Sequence, residues 1–221
     1  MNKPDAHHTL REEAYRKFMN AMLNRKIRPG RMLSQRELAE SIGSSVASIR
    51  EALKRLEGEG VVILIPKRGV LITEVTRKDI ADAYEFRILI ETHAIQHYVA
   101  NCDSANVEKI RVQTEEILAA APEVQDIEHF NKCLELDRLL HRQIVESLDN
   151  SAMSETHQKI ETTMMLARLN LPLKLNASEA AFTEHLALLD AIKMGDTKRA
   201  SASLRDHLIK AKKRAMEFAE I

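Results

Sequence analysis

The sequence predicts a mainly α-helical chain: an N-terminal winged helix-turn-helix followed by an all-α bundle of six helices. Three observations predict it. Residues 34–73 read as helix, tight turn, helix and two short apolar strands joined by a basic turn. Beyond residue 76 the apolar spacing is helical throughout, punctuated by caps, Gly and Pro rather than by strand signals. Basic residues concentrate in the first part: residues 1–78 hold 16 Lys/Arg against 9 Asp/Glu, and residues 79–221 hold 17 against 24.

Local chemistry justifies each element. Residues 1–8 read as a tail. Leu10 to Asn24 reads as a helix with Ala14, Phe18, Ala21 and Met22 inward, and residues 27–33 as a turn. Ser34 and Glu37 form a capping box, Ser-x-x-Glu, that starts the next helix. Leu38, Ala39 and Ile42 give it an apolar face, and Gly43 ends it, because glycine tolerates the left-handed conformation of a helix C-terminus. Ser44 or Ser45 caps the following helix, where Ile49, Leu53 and Leu56 point inward and Gly58 and Gly60 mark the stop. Val61 to Ile65 and Gly69 to Thr73 are β-branched and apolar, hence strands, and Pro66-Lys67-Arg68-Gly69 is the turn between them. This order suits a device that places one helix in the DNA major groove, with Lys67 and Arg68 as cations at the wing tip.

The first domain is expected over 1–75 and the second over 76–221. Thr76 with Asp79 caps a long helix to about Ala100, and Asp103 or Ser104 starts the next, to about Ala121. Pro122 interrupts. Helices follow from about Asp126 to Leu148, Ser151 to Asn170 (closed by Pro172), Ser178 to Met194, and Asp196 almost to Ile221.

Composition narrows the class. The 221 residues are 44% hydrophobic and 30% charged, without Trp, so Leu, Ile, Ala and Met must build the core. No apolar run approaches the roughly 20 residues of a membrane helix, and the N-terminus has no apolar secretory segment. Cys102 and Cys133 do not make a disulfide framework, and reduced thiols in a cytoplasm are expected. The formal net charge of zero hides the split above: +7 in the half with the helix-turn-helix and −7 in the other. Phosphate contacts come from such local excess.

A second constellation lies in the helical part. In Asp137-x-x-x-His141 an i, i+4 pair projects a carboxylate and an imidazole from one helix face. His185 and His207 lie on two later helices. Together they would supply four N/O ligands to a divalent ion. From spacing alone, surface or hydrogen-bonded core histidines fit as well. His93 and His97 share a helix and a face with Phe86 and Ile90, and read as structural or interface residues. Arg87 and Glu91 are an i, i+4 pair: an inward arginine able to fork a carboxylate, or a surface salt bridge.

At this point the residues resemble a family. Leu33-Ser-Gln-Arg-Glu-Leu-Ala-Glu, Arg50-Glu-Ala-Leu-Lys-Arg-Leu-Glu and Pro66-Lys-Arg-Gly69 resemble the GntR family of bacterial transcription regulators. Arg87 with Glu91, Asp137-x-x-x-His141, Glu184-His185, Gly195-Asp196 and His207 resemble its FCD effector domain in the FadR subfamily, and six helices resemble the shorter, VanR-type version. The resemblance implies a homodimeric, ligand-responsive regulator of a short palindromic operator in double-stranded DNA, with a repressor the first expectation. It implies that Asp137, His141, His185 and His207 hold a divalent metal, zinc above nickel, manganese or iron. A small carboxylate effector would take the metal's open positions and Arg87. On the DNA side, Arg36 and Arg50 match positions that contact phosphate or base, and Gly69 matches the wing glycine. The family commonly has Ser-Arg-Thr-Pro-Val-Arg where this chain has Ser45-Val-Ala-Ser-Ile-Arg50. Val46 thus replaces an arginine that reads the operator, and Ser48 a proline. An arginine fork to guanine is worth roughly 1–3 kcal/mol of discrimination, so operator preference is expected to diverge here.

The alternative is a metal-dependent enzyme in which the same ligands activate water. No nucleophile motif accompanies them, and Glu184, beside His185, is the single nearby candidate base.

Overall fold

The computed structural model describes residues 6–120, 126–170 and 176–218. The chain divides into two compact units, Met1–Val75 with Met165–Asn170, and Thr76–Met164 with Leu171–Ile221.

The first unit contains α1 (Ala6–Leu23), β1 (Met32–Leu33), α2 (Gln35–Ile42), α3 (Val46–Gly58), β2 (Val62–Ile65) and β3 (Gly69–Ile72). Its punctuation is that of the sequence. Ser34 Oγ accepts from Glu37 N at 3.1 Å while Ser34 N donates to Glu37 Oε2 at 2.7 Å, the reciprocal capping box. Gly43 closes α2 in the left-handed region at φ 60°. Ala14, Phe18 and Met22 of α1 are fully buried with Leu38 of α2, Ile49, Leu53 and Leu56 of α3, and Val70 and Ile72 of β3.

Two expectations change. α1 begins at Ala6, so residues 6–8 of the expected tail are helical. Ala6-His7-His8-Thr9 carries no apolar periodicity from which a helix could be read. Residues 1–5 lie outside the described residues. The stretch read as a turn contains β1, which pairs antiparallel with β3 (Met32 with Leu71, Leu33 with Val70) and gives the sheet order β1-β3-β2. A two-residue strand has no alternation to read, and its partner supplies it.

The second unit is all helical among the described residues: α4 (Arg77–Asn101), α5 (Ser104–Ala120), α6 (Ile127–Glu146), the part of α7 (Ser151–Asn170) up to Met164, α8 (Asn176–Lys193) and α9 (Thr197–Phe218). Pro122 and Pro172, expected as interruptions, lie outside the described residues. Side-chain caps open several helices: Thr76 with Asp79 for α4, Asp126 for α6, and Asp196 for α9, whose carboxylate accepts from Arg199 N at 3.0 Å. α4 lies along α9 and against α6, and α8 packs on α9 and α5. Their apolar stripes meet in one core that includes Ile95, Ile110, Leu140, Ile144, Phe182, Leu189 and Leu204. The polar site sits among these helices.

Candidate metal centre and nucleic-acid interface

Asp137 and His141 lie one turn apart on α6, so their side chains leave the same face. That face is otherwise apolar, with Leu140 and Ile144 in the core, and it carries both polar groups inward. α8 brings His185 and α9 brings His207 to the same point. The structure thus unites all four residues expected to be ligands: one donor atom from each lies within 4.8 Å of the others, and all four are buried. Asp137 Oδ1 is 3.7 Å from His141 Nε2 and 3.6 Å from His185 Nε2. His185 Nε2 and His207 Nε2 are 3.2 Å apart.

Three imidazole nitrogens and one carboxylate oxygen form a donor set suited to a divalent ion such as zinc, with the nitrogens neutral. His141 Nε2, fully buried, has no hydrogen-bond partner among the described residues. Stranding an imidazole nitrogen in this way costs free energy unless something else takes it up, so the residues fit a metal. Burial, then the neighbouring His207, pushes the His185 pKa well below its usual value. Burial lowers that of His207 too, against a hydrogen bond to Glu184. Both rings are therefore neutral, the form that ligates.

Two carboxylates stand behind the rings. Glu91 of α4 is fully buried and accepts from three side chains: Arg87 Nε at 2.6 Å, His141 Nδ1 at 2.6 Å and His157 Nε2 of α7 at 3.1 Å. Burial alone would raise its pKa, but Arg87 and His141 hold it well below the carboxylate range. The guanidinium of Arg87 is itself held above its usual pKa, with burial opposing Glu91 and Asp137. Arg87 is therefore the buried inward pair of the two readings, not a surface bridge. Glu184 of α8 accepts from His207 Nδ1 at 2.8 Å and from both terminal nitrogens of Arg214 at 2.8 Å. Against burial, these partners hold its pKa down to about 2. Glu184 so placed is a fixed anion, unsuited to the general base of the enzyme alternative.

Sequence reasoning missed His157 and Arg214, and gave Glu184 no role but that of a candidate base, although Glu184-His185 was among the matching residues of the resemblance. His157 is one of nine histidines and meets Glu91 across 66 residues of chain, so no local pattern marks it. His93 and His97 are exposed, although the Ile90 expected on their face is buried.

In the first unit the expected DNA-contacting residues occupy the open ends of α2, α3 and the β2–β3 turn. Ser45 Oγ caps α3, accepting from Ser48 N at 3.0 Å, and lies 2.8 Å from Ser48 Oγ. Val46, the first residue of α3, is 40% exposed. Arg50 is exposed and donates through Nε to Gln35 Oε1 at 3.3 Å, which joins the N-terminal ends of α3 and α2. Arg36 is exposed and pairs with Glu40 at 2.9 Å. Lys67, at φ 62°, and Arg68 stand exposed in the turn. Gly69 matters through its backbone. At φ +127°, a Cβ there would lie 2.5 Å from Leu33 O, so β1 could not pair with β3.

The comparisons with known proteins meet this geometry. Residues 10–72 match the bacterial regulatory proteins of the gntR family, and residues 82–210 match the FCD domain. An HTH-type transcriptional regulator of Streptomyces ambofaciens is 30% identical over 201 residues, 90% of this chain and 82% of that protein. The gluconate operon transcriptional repressor of Bacillus subtilis is 26% identical, over 77% of this chain and 70% of its own. Among solved structures, Escherichia coli McbR/YncC superposes with a TM-score of 0.78 at 18% identity, covering 94% of this chain and 97% of that one, a likeness of fold. The chain belongs to the GntR family of DNA-binding transcriptional regulators with an FCD domain. These are families of regulators, not of enzymes, which removes the hydrolytic alternative. No helix among the described residues is long and apolar enough to cross a membrane.

Proposed function

We propose that the protein is a cytoplasmic, homodimeric repressor whose helical domain, residues 76–221, senses a small carboxylate at a metal centre and whose winged domain, residues 1–75, releases its operator in response. One observation supports this most: four buried donor atoms, from helices α6, α8 and α9, converge within 4.8 Å. Zinc suits three imidazoles and a carboxylate, and nickel, manganese or iron are the other ions to test. Four protein ligands leave one or two positions of an octahedral ion for an effector carboxylate. Arg87, whose guanidinium is drawn to the Asp137 charge, is the cation that would take the effector carboxylate.

Recognition of the operator falls to Arg36, Ser45, Val46, Ser48 and Arg50 around the open end of α3, and to Lys67 and Arg68 at the wing, with Gly69 shaping that wing. Val46 offers an apolar contact, suited to a thymine methyl, where the family has arginine. The name of the B. subtilis relative speaks for repression of that protein's operon. Leu89, 74% exposed on α4 near the exposed His93 and His97, offers apolar surface for a second copy.

Gel shifts with the promoter of the protein's own operon test the reading. Binding should fall steeply with salt and be relieved by one member of a panel of small carboxylates in metal-loaded protein. Absence of binding at every ligand and salt level would sink it.

A further inference from the structure

We propose that Glu91 and Glu184, neither of them a ligand, preset the ring protons of His141 and His207 for metal binding. The inference rests on the metal-centre reading above.

A carboxylate can only accept. The short contacts of Glu91 Oε2 with His141 Nδ1 (2.6 Å) and of Glu184 Oε2 with His207 Nδ1 (2.8 Å) therefore place a proton on each Nδ1. In a neutral ring the Nε2 lone pair is then free. The His141 Nε2 is the buried atom without a partner, and the His207 Nε2 faces His185. Both rings thus present the nitrogen a metal needs.

His185 Nε2 lies 3.2 Å from His207 Nε2 and 3.6 Å from Asp137 Oδ1, so it converges on the same point as the other donors.

Neither carboxylate is free to turn away. Arg214 forks Glu184 through both terminal nitrogens, and Arg87 with His157 holds Glu91. Each clamp also links separate helices: α8 to α9, and α4 to α6 and α7.

Nitrogen-15 NMR of the chelator-treated full-length protein reads the tautomers directly. His141 and His207 should be in the Nδ1–H form, both before and after addition of Zn²⁺. Zn²⁺ titration against a chelating indicator then compares variants. Removing such a partner of a ligating histidine typically weakens metal binding about 10–100-fold, which is the loss expected for Glu184→Met. Glu184→Gln, which keeps a neutral acceptor, should lose less, and a thermal melt without metal checks that both variants fold. An Nε2–H tautomer at His207 in the chelator-treated protein, or wild-type Zn²⁺ affinity in Glu184→Met, overturns the proposal. If the wild type binds no Zn²⁺ at all, the metal-centre reading fails instead, while the tautomers of His141 and His207 still decide the role of the two carboxylates.

Discussion

The two units use polar side chains in opposite ways. In the winged unit Arg36, Arg50, Lys67 and Arg68 stand exposed, and the two contacts Arg36 and Arg50 make are with single neighbours at the surface. Such contacts cost little to exchange, which is what a surface meeting phosphates requires. In the helical unit Arg87, Glu91, Asp137, His141, His157, His185 and His207 are all buried. Burial makes every unsatisfied group expensive, so Glu91 is fixed by three donors, and the orphan Nε2 of His141 lies 3.7 Å from Asp137 Oδ1. One unit keeps its cations available, and the other commits its polar groups to holding a geometry.

Gly69→Val should break the winged side of this comparison most strongly. The added side chain meets Leu33 O and takes a backbone conformation that β-branched residues avoid, so β1 separates from β3. A loss of about 3 kcal/mol is expected from strain plus overpacking, read as a lowered denaturant midpoint, with the response to added Zn²⁺ equal to that of wild type. A smaller effect sharpens the helical side. The Glu184 pKa is depressed from 4.5 to about 2, so its stabilisation is full above the unfolded value and is lost as pH falls toward 2. The urea midpoint of wild type should exceed that of Glu184→Gln at pH 6, and the gap should close on acidification. A gap constant with pH would show that Glu184 is not ionised in the fold. The smallest expected effect is that of Ser45→Ala, which removes the cap of α3 and should cost about 1 kcal/mol. It should also weaken operator binding, since Val46 and Arg50 ride on that turn.

Much of this was legible in the sequence wherever the determinant was local. Ser34, Gly43, Ser45, Thr76, Asp126 and Asp196 set helix ends through contacts within three or four residues, and each acts in the structure as its residue type predicts. The inward residues of α1 and α3 followed from helical periodicity. β1 did not, because it exists only through pairing with β3. The site divides the same way. Asp137 with His141 and Arg87 with Glu91 are one-turn pairs that the chain displays, but their convergence with His185 and His207 came from resemblance rather than from spacing. Glu91's hold on His141 and His157, and Glu184's on His207 and Arg214, span 23 to 66 residues of chain. Only the packing of α4, α6, α7, α8 and α9 brings them together. Glu184 shows the cost of reading a residue by its neighbour in sequence: beside His185 it looked like a base, whereas its partners lie on α9.

The central claim is that Asp137, His141, His185 and His207 form a metal centre. Elemental analysis of untagged protein, purified without added chelator, tests it most directly when wild type and His207→Ala are compared. The account predicts one divalent ion per chain in wild type and its near-complete loss in the variant, with the operator still bound at low salt. A wild type free of metal after incubation with zinc, nickel, manganese or iron, or equal metal content in His207→Ala, would contradict it.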